Sequence, residues 1–294
     1  LAILMTVRKA VITAGGLGTR LLPATKETPK EMLPLFTFNE SEGVYLKPVV
    51  QVVFESLYEV GFRDFCFVVG RSKRAVEDHF TPDYQFVHLL ESKGLRHQVE
   101  GLNRFYRMII DSKILFVNQP EPRGFGDAVL RAESFVGSEP FLVHAGDDLI
   151  LSNNGGHLKR LLKAFDKNNA DVMFLVEEVR DPRQYGVVKA ELMEEGMLHV
   201  LDIVEKPRKP PSNLAVVAIY VFKPSIFDKL RETKPDKKGE VQLTDAIKAA
   251  IDSGEKVLAV KLRRDEKRLD VGNPRRYWDA LRESYEWALN KVKG

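Results

Sequence analysis

The sequence predicts an α/β protein with a mostly parallel sheet, helices on both faces and a small antiparallel and helical C-terminal elaboration. Short apolar runs alternate with amphipathic stretches up to residue 179, which is the rhythm of βαβ units. After residue 180, strand-like runs follow one another directly and then give way to helical patterns. Because no internal repeat or low-complexity linker is visible, we expect a single domain over residues 1–294.

The first part of the chain predicts strands with helices between them. Residues 7–14 are rich in β-branched residues and end at a glycine pair, so they predict a buried strand. Residues 47–62 carry apolar residues at helical spacing, with Pro48 suited to the first turn and Gly61 to the end. Further strands are predicted at 64–70, 114–119, 140–148 and 170–179. Further helices are predicted at 72–80 with Ser72 as cap, 83–112, 124–137 and 157–169.

The second part predicts three strands joined by turns, at 185–193, 198–207 and 214–224, and one more at 256–262. Helices are predicted at 225–232, 242–253 and 274–291. The order of the strands in the sheet does not follow from this pattern.

Composition excludes several classes of protein. The formal charge of +3, from 45 basic and 42 acidic residues, lacks the basic excess of a nucleic-acid binder. The basic cluster at 261–268 contains two acids, so we interpret it as a solvated face. The single cysteine, Cys66, lies in an apolar run, so we expect a buried, unreactive thiol and no disulfide framework. The apolar start LAILM is too short for a signal peptide or a membrane span; we interpret it as a ragged start before Met5 and expect a cytoplasmic protein.

The segment after the first strand, GGLGTRLLPATKETPK (15–30), fits neither common phosphate-binding pattern. It lacks the Gly-Lys-Ser/Thr end of a P-loop, and it does not open directly into a helix as a dinucleotide fingerprint does. Pro23, Pro29 and Pro34 prevent one regular helix across it. We therefore expect a long extended loop in which Arg20, Lys26 and Lys30 converge on a polyphosphate. The alternative is a surface hairpin with scattered charges.

Acidic residues follow two predicted strands. Asp147 and Asp148 end one strand, and Asp270 lies between the strand at 256–262 and the last helix. Carboxylates at strand ends suit Mg²⁺, which is usually held by one or two carboxylates and by substrate phosphates. A turn or helix cap is the alternative for each of them. We expect His144 to be a packed strand residue, because no second histidine lies at metal spacing.

Two further pairs of residues lie at predicted strand ends: Glu205 with Lys206, and Gln119 with Gly124. Glu205 and Lys206 can both turn into a cleft there, although a solvated strand end is the alternative. Gln119 precedes a glycine turn at Gly124, and its amide can hydrogen-bond to a base edge. Together, the cations, carboxylates and glycines fit transfer of a nucleotidyl group, where catalysis is mainly positioning and charge neutralisation. No Ser/His/Asp or Cys/His arrangement indicates a covalent nucleophile.

The segment GGLGTRLLPATKETPKEMLPL resembles the N-terminal signature of bacterial-type UTP–glucose-1-phosphate uridylyltransferases, within the sugar-1-phosphate nucleotidyltransferase family. The similarity continues, in the family's order and across nearly the whole chain, through GFGDAV, GDDLIL, YGVV, VEKP, SNLAVVAIYVF, GEVQLTDAI and LDVGN. The helical segment at 83–112 also resembles this subfamily more than the thymidylyltransferases.

This resemblance implies a Rossmann-like fold with a nucleotide-binding part over about 5–180 and a sugar-binding and C-terminal helical part over about 181–294. It implies a reaction of UTP with glucose 1-phosphate that gives UDP-glucose and pyrophosphate, with Mg²⁺ as cofactor. It also implies a homodimer or homotetramer, with no nucleic acid or membrane as partner.

The resemblance assigns roles to individual residues. Arg20 would hold the polyphosphate of UTP, and Lys30 would neutralise the α-phosphate and the incoming sugar phosphate. Asp147 and Asp270 would bind Mg²⁺. The residues implied to bind the nucleotide are Ala14, Gly15, Gly16, Gly18 and Thr19, with Gln119 and Gly124 at the uracil. The residues implied to bind the sugar 1-phosphate are Gly186, Glu205 and Lys206.

Two departures from the family pattern leave alternatives open. Ala145-Gly146-Asp147 is closer to the thymidylyltransferase form of the metal motif, and Ala218 replaces a glycine that is usual in the later sugar-pocket strand. A glucose-1-phosphate thymidylyltransferase or a dual UTP/dTTP enzyme is therefore an alternative. Less favoured alternatives are a GT-A-type glycosyltransferase and a sugar-nucleotide sensor that has lost turnover.

Overall fold

A computed structural model describes residues 6–40, 43–194 and 196–293 of the chain. The start LAILM, and with it the expectation of a ragged start before Met5, lies outside the described residues. The strands are β1 (Lys9–Ala14), β2 (Pro34–Asn39), β3 (Gly43–Pro48), β4 (Asp64–Gly70), β5 (Lys113–Gln119), β6 (Phe141–Ala145), β7 (Asp148–Leu151), β8 (Val172–Glu178), β9 (Gly186–Glu194), β10 (Met197–Glu205), β11 (Leu214–Phe222), β12 (Val257–Lys261) and β13 (Lys267–Asp270). The helices are α1 (Val49–Val60), α2 (Arg74–His79), α3 (Tyr84–Ser92), α4 (Arg96–Ile110), α5 (Phe125–Arg131), α6 (Glu133–Val136), α7 (Gly156–Asn168), α8 (Ile226–Glu232), α9 (Leu243–Asp252) and α10 (Pro274–Lys293).

A nine-stranded sheet in the order β5-β4-β1-β6-β11-β8-β12-β10-β9 forms the centre of the protein. Strands β5, β4, β1 and β6 are parallel, and β12 is parallel to β8. Strand β11 is antiparallel to both β6 and β8, and β10 is antiparallel to both β12 and β9. Most strands therefore run in one direction, as expected, but the sheet is mixed.

The placement of β11 corrects the expected C-terminal elaboration. We expected the strands after residue 180 to form an antiparallel addition, and they are antiparallel to their neighbours. However, β11 lies in the middle of the main sheet, between β6 and β8. Its nearly unbroken apolar run, LAVVAIYVF, is buried on both faces, and such runs are typical of central strands.

Helices cover both faces of the sheet, as the sequence predicts. On β1, Ala10 and Ile12 belong to one hydrophobic cluster and Val11 to the other. The first cluster includes residues of α1, α4 and α7, and the second includes residues of α5, α8 and α9. The alternation along β1 shows why that strand needs apolar residues at successive positions.

Several local predictions need correction. Helix α2 begins after Lys73 without a side-chain cap, and Ser72 has φ 69° instead of capping it. The helical stretch at 83–112 is two helices, α3 and α4, with Gly94 at φ 70° between them. The helix predicted at 124–137 is also two, α5 and α6, which meet at Ala132. The short strands β2, β3, β7 and β13 were not predicted.

The loop after β1 is not extended throughout, because it contains 3-10 turns at Thr19–Leu21 and Lys30–Met32. Buried side chains anchor both turns: Leu21 is 7% exposed and Glu31 is 1% exposed. The peptide bond between Leu22 and Pro23 is cis.

Two predictions about buried residues are confirmed. Cys66 is fully buried, and burial raises the pKa of its thiol to about 12. His144 is also fully buried on β6, where burial lowers its pKa to about 4. Within residues 6–40, 43–194 and 196–293, no helix combines the length and apolar content needed to cross a membrane.

Candidate active site

A cavity of about 500 Å³ opens at the carboxyl ends of β1, β5 and β6, which is where open α/β sheets bind ligands. All but two of the residues expected at the site line it. The lining includes Gly15, Gly16, Gly18, Thr19, Arg20, Lys30, Gln119, Gly124, Asp147, Gly186, Glu205, Lys206 and Asp270. Ala14, at the end of β1, is fully buried and is not among the lining residues. The third predicted cation, Lys26, is not among them either and lies exposed beside Glu27.

The glycines after β1 allow the side chains of Lys30 and Gln119 to pack directly against the backbone. A Cβ at Gly16 would lie 3.1 Å from Cε of Lys30, and a Cβ at Gly15 would overlap Oε1 of Gln119. Gly18 has φ 67°, and Thr25 Oγ1 donates a hydrogen bond of 2.8 Å to its carbonyl oxygen. The turn that follows presents Arg20 as an exposed side chain at the cavity.

Lys30 contacts the carboxylate of Asp147 across the cavity wall. Burial alone would lower the pKa of Lys30, but attraction by Asp147 and Glu31 outweighs it and raises the pKa to about 12. Burial alone would raise the pKa of Asp147, but Lys30 holds it below its ordinary value. Both groups are therefore charged at neutral pH.

A second ion pair lies directly behind the first. The Glu31 carboxylate accepts a 2.8 Å hydrogen bond from Lys73 Nζ, and both side chains are buried. The pair joins the 3-10 turn at Lys30–Met32 to the start of α2. It thereby fixes the turn that presents Lys30.

The two aspartates expected after β6, Asp147 and Asp148, form ion pairs with different partners. Gly146 N–H donates a 2.9 Å hydrogen bond to the Thr13 carbonyl oxygen, which ties the β6–β7 turn to β1. Both aspartates line the cavity, but Asp147 contacts Lys30, whereas Asp148 is 4% exposed and accepts hydrogen bonds from Arg268 Nε at 2.9 Å and Nη2 at 2.6 Å. The Asp148 carboxylate is thus bound by the Arg268 guanidinium.

Asp270 reaches the same cavity from β13. In the antiparallel pair of β13 and β7, Asp270 lies opposite Asp148. The Asp270 carboxylate contacts Arg276 of α10 and accepts a 2.6 Å hydrogen bond from Gly272 N–H. The structure therefore brings Asp147 and Asp270 to one cavity, as the sequence predicts.

These two carboxylates fit a site completed by substrate. Among the residues that the structure describes, no three His, Cys, Asp or Glu side chains cluster as a fully protein-bound metal would require. A hard divalent cation needs only one or two carboxylates when substrate phosphates supply further oxygens. Each carboxylate already contacts a cation of the chain, so a bound metal would compete with Lys30 or Arg276 for it.

The Glu205–Lys206 pair enters the cavity from the other side. Glu205 lies opposite Gly186 in the β9–β10 pair, and Thr244 Oγ1 donates to its Oε2 at 3.2 Å. Lys206 Nζ lies 2.7 Å from Glu205 Oε1. The φ of 42° at Lys206 is uncommon for a non-glycine residue and turns the chain at the strand end.

Three residues that line this cavity were not predicted from the sequence: Tyr185, Arg268 and Arg276. Arg268 also donates to Glu177 at 2.9 Å, and its guanidinium lies 5.0 Å from the ring centre of Tyr185. Arg276 lies 4.7 Å from the same ring. Because Arg268 is buried, the interpretation of 261–268 as a solvated face is wrong at its end. The sequence does contain a signal for Arg268: it lies two residues before Asp270, so the two side chains share one side of a strand.

The family model described as "Nucleotidyl transferase" matches residues 9–286. The chain belongs to the nucleotidyl transferase family. It is 39% identical over 270 residues to a UTP–glucose-1-phosphate uridylyltransferase of Bacillus subtilis, covering 90% of this chain and 87% of that protein. It is 35% identical over 285 residues to the one of Pseudomonas aeruginosa, covering 95% and 96%. A solved UDP-glucose pyrophosphorylase complexed with UDP-glucose has a TM-score of 0.80 at 34% identity, covering 95% of this chain and 99% of that chain.

The resemblance read from the motifs is thus confirmed. Nucleotidyl transferases of this family generally depend on a divalent metal, which agrees with the two carboxylates in the cavity. The relatives do not favour the thymidylyltransferase or glycosyltransferase alternatives.

Proposed function

We propose that the protein forms UDP-glucose and pyrophosphate from UTP and glucose 1-phosphate. The observation that carries this proposal is that Arg20, Lys30, two carboxylates and the Glu205–Lys206 pair meet in one cavity. Cations for a triphosphate and a separate acid–base pair for a sugar phosphate match two anionic substrates. The uridylyltransferase relatives support the choice of UTP and glucose 1-phosphate.

On the nucleotide side, the backbone from Gly15 to Thr19 faces UTP, with Arg20 on its polyphosphate. Lys30 exchanges its contact with Asp147 for the α-phosphate. Gln119 and Gly124 lie at the uracil. This assignment is supported by the close approach of Lys30 and Gln119 to the glycine backbone.

On the sugar side, Gly186 and Glu205 face the sugar hydroxyls and Lys206 faces the phosphate. The Glu205 carboxylate can accept hydroxyl hydrogen bonds, and the Lys206 ammonium acts as a point charge. Ala218 of β11 also lines this part of the cavity, so it narrows the pocket by one methyl group relative to a glycine.

The reaction is an in-line attack of a glucose 1-phosphate oxygen on the α-phosphorus of UTP, with pyrophosphate as the leaving group. The attacking oxygen is already anionic, so no residue need act as a general base. Arg20 and Lys30 reduce the repulsion between the two anions. Asp147 and Asp270 would hold Mg²⁺, which supplies further charge neutralisation when bound.

Pyrophosphate release tests this proposal directly. The purified protein, incubated with UTP, glucose 1-phosphate and Mg²⁺, should release pyrophosphate and form UDP-glucose, with dTTP, ATP and other sugar 1-phosphates as comparisons. Absence of release with every nucleotide and sugar phosphate would contradict it. The homodimer or homotetramer stays a prediction, which light scattering would check.

A further inference from the structure

The amide of Gln119 has two chemically opposite ends, and the chain binds only one of them among the described residues. Gln119 is the last residue of β5 and is 4% exposed. An amide oxygen accepts hydrogen bonds, whereas the amide nitrogen donates them. The chemistry that a ligand encounters at Gln119 therefore depends on which end is turned toward the cavity.

Two acceptors of the chain fix this orientation. Gln119 Nε2 donates to Asp127 Oδ2 at 2.8 Å and to the Gly124 carbonyl oxygen at 3.1 Å. A rotated amide would place Oε1 against a carboxylate and a carbonyl, neither of which can donate. Asp127, on α5, is itself held, because Arg131 Nη2 donates to its other oxygen at 3.0 Å.

The oxygen end of the amide is left for a ligand. Oε1 occupies the space that a Cβ at residue 15 would take, so it packs against the glycine backbone that lines the cavity. Within the described part of the chain, no hydrogen-bond donor contacts this oxygen. The cavity thus presents a fixed acceptor beside the segment proposed to bind the nucleotide.

We propose that Asp127 determines nucleobase selectivity by holding Gln119 with its oxygen toward the base. This inference rests on the proposed function. Uracil and thymine carry a ring N3–H, which donates to such an oxygen, whereas N3 of cytosine is an acceptor and is repelled in the same pose. A site built around one hydrogen bond rejects analogues that cannot form it. Asp127 is a positioning residue, since it acts through Gln119.

Nucleotide binding to an Asp127→Asn variant tests this inference without requiring turnover. Calorimetry compares UTP, dTTP and CTP in the absence of glucose 1-phosphate. Wild-type protein should prefer UTP and dTTP to CTP. In the variant, the new side-chain amide can accept from or donate to Gln119, so only the 3.1 Å contact with the Gly124 carbonyl opposes rotation of the Gln119 amide. The UTP-to-CTP affinity ratio should therefore fall by about tenfold. The matched control is Asp252→Asn on α9, whose carboxylate binds only Lys248 among the described residues; it should leave the ratio unchanged.

Three further variants separate an effect on selectivity from an effect on folding. Gln119→Met should lose the preference for UTP, and adding Asp127→Asn to it should lower the ratio no further, because both act through one amide. Asp127→Ala replaces Asp127→Asn if the latter fails to fold. An unchanged UTP-to-CTP ratio in the folded Asp127 variant, equal weakening of both nucleotides, or additive effects in the double variant would overturn the inference. Failure of the proposed function would instead appear as absent pyrophosphate release by the wild type.

Discussion

Two neighbouring residues, Lys30 and Glu31, form ion pairs on opposite sides of the same turn. Lys30 meets Asp147 at the cavity, where both side chains are 18% exposed. Glu31 meets Lys73 in the interior, where the two side chains are 1% and 5% exposed. Both are lysine–carboxylate pairs, so the difference lies in their access to a ligand.

Three aspartates at the cavity differ in exposure in the same way. Asp147 and Asp270 contact Lys30 and Arg276, and their side chains are 18% and 20% exposed. Asp148 contacts Arg268, and these side chains are only 6% and 10% exposed, although both also line the cavity. We refer to Lys30–Asp147 and Arg276–Asp270 as the front pairs, and to Lys73–Glu31 and Arg268–Asp148 as the rear pairs. In the proposed function, front pairs exchange partners with phosphate or metal, and rear pairs hold the front groups in position.

The largest effect is expected at a rear pair. Arg268→Met leaves Asp148 and Glu177 without their guanidinium, so the free energy of unfolding should fall by about 3–5 kcal/mol. Urea denaturation measures this loss. Adding Asp148→Asn removes one stranded charge and should recover part of it. A variant as stable as the wild type would show that Arg268 does not hold β13 in place.

A smaller effect is expected for metal dependence at a front pair. Asp270→Asn should raise the Mg²⁺ concentration needed for half-maximal activity by at least about tenfold, since one carboxylate ligand is lost. The exposed Asp265, in the turn before β13, provides a matched Asp→Asn control that should leave the titration unchanged. An unchanged Mg²⁺ titration in the Asp270 variant would show that Asp270 is only a turn residue.

The smallest effect concerns two buried histidines, His144 and His157. Burial lowers the pKa of His144 to about 4 and that of His157 to about 3. Because these values lie below the ordinary one, the unfolded chain takes up protons first as the pH falls, and folded-state stability declines. From pH 7 to pH 5.5, the unfolding free energy of the wild type should fall by about 1 kcal/mol more than that of His144→Leu. Equal pH dependence of the two proteins would contradict this.

Features that depend on neighbouring residues could be predicted from the sequence. Glycines after a β-branched run placed the loop, and acids at strand ends placed Asp147 and Asp270 at one cavity. The positions of the loop and of Asp147 follow from the rule that carboxyl ends of parallel strands meet at one edge of the sheet. Asp270 instead reaches the cavity from β13, which pairs with β7 in a separate antiparallel sheet.

Features that depend on distant residues could not be predicted. Asp147 and Asp148 are adjacent, and their different environments are decided by Arg268, which lies 120 residues away from Asp148. The burial of Arg268 within a charged stretch, and the central place of β11, likewise follow from tertiary pairing and not from local pattern.

The distinction between front and rear pairs is tested most directly by comparing Lys30→Met with Lys73→Met. Pyrophosphate release at saturating substrates and urea denaturation are measured on both proteins. Lys30→Met should slow turnover about a hundredfold, with UTP affinity and unfolding free energy close to those of the wild type. Lys73→Met should lose about 3–5 kcal/mol of unfolding free energy, because Glu31 stays buried without its partner. Wild-type turnover in Lys30→Met, or equal losses of stability in the two variants, would contradict the account.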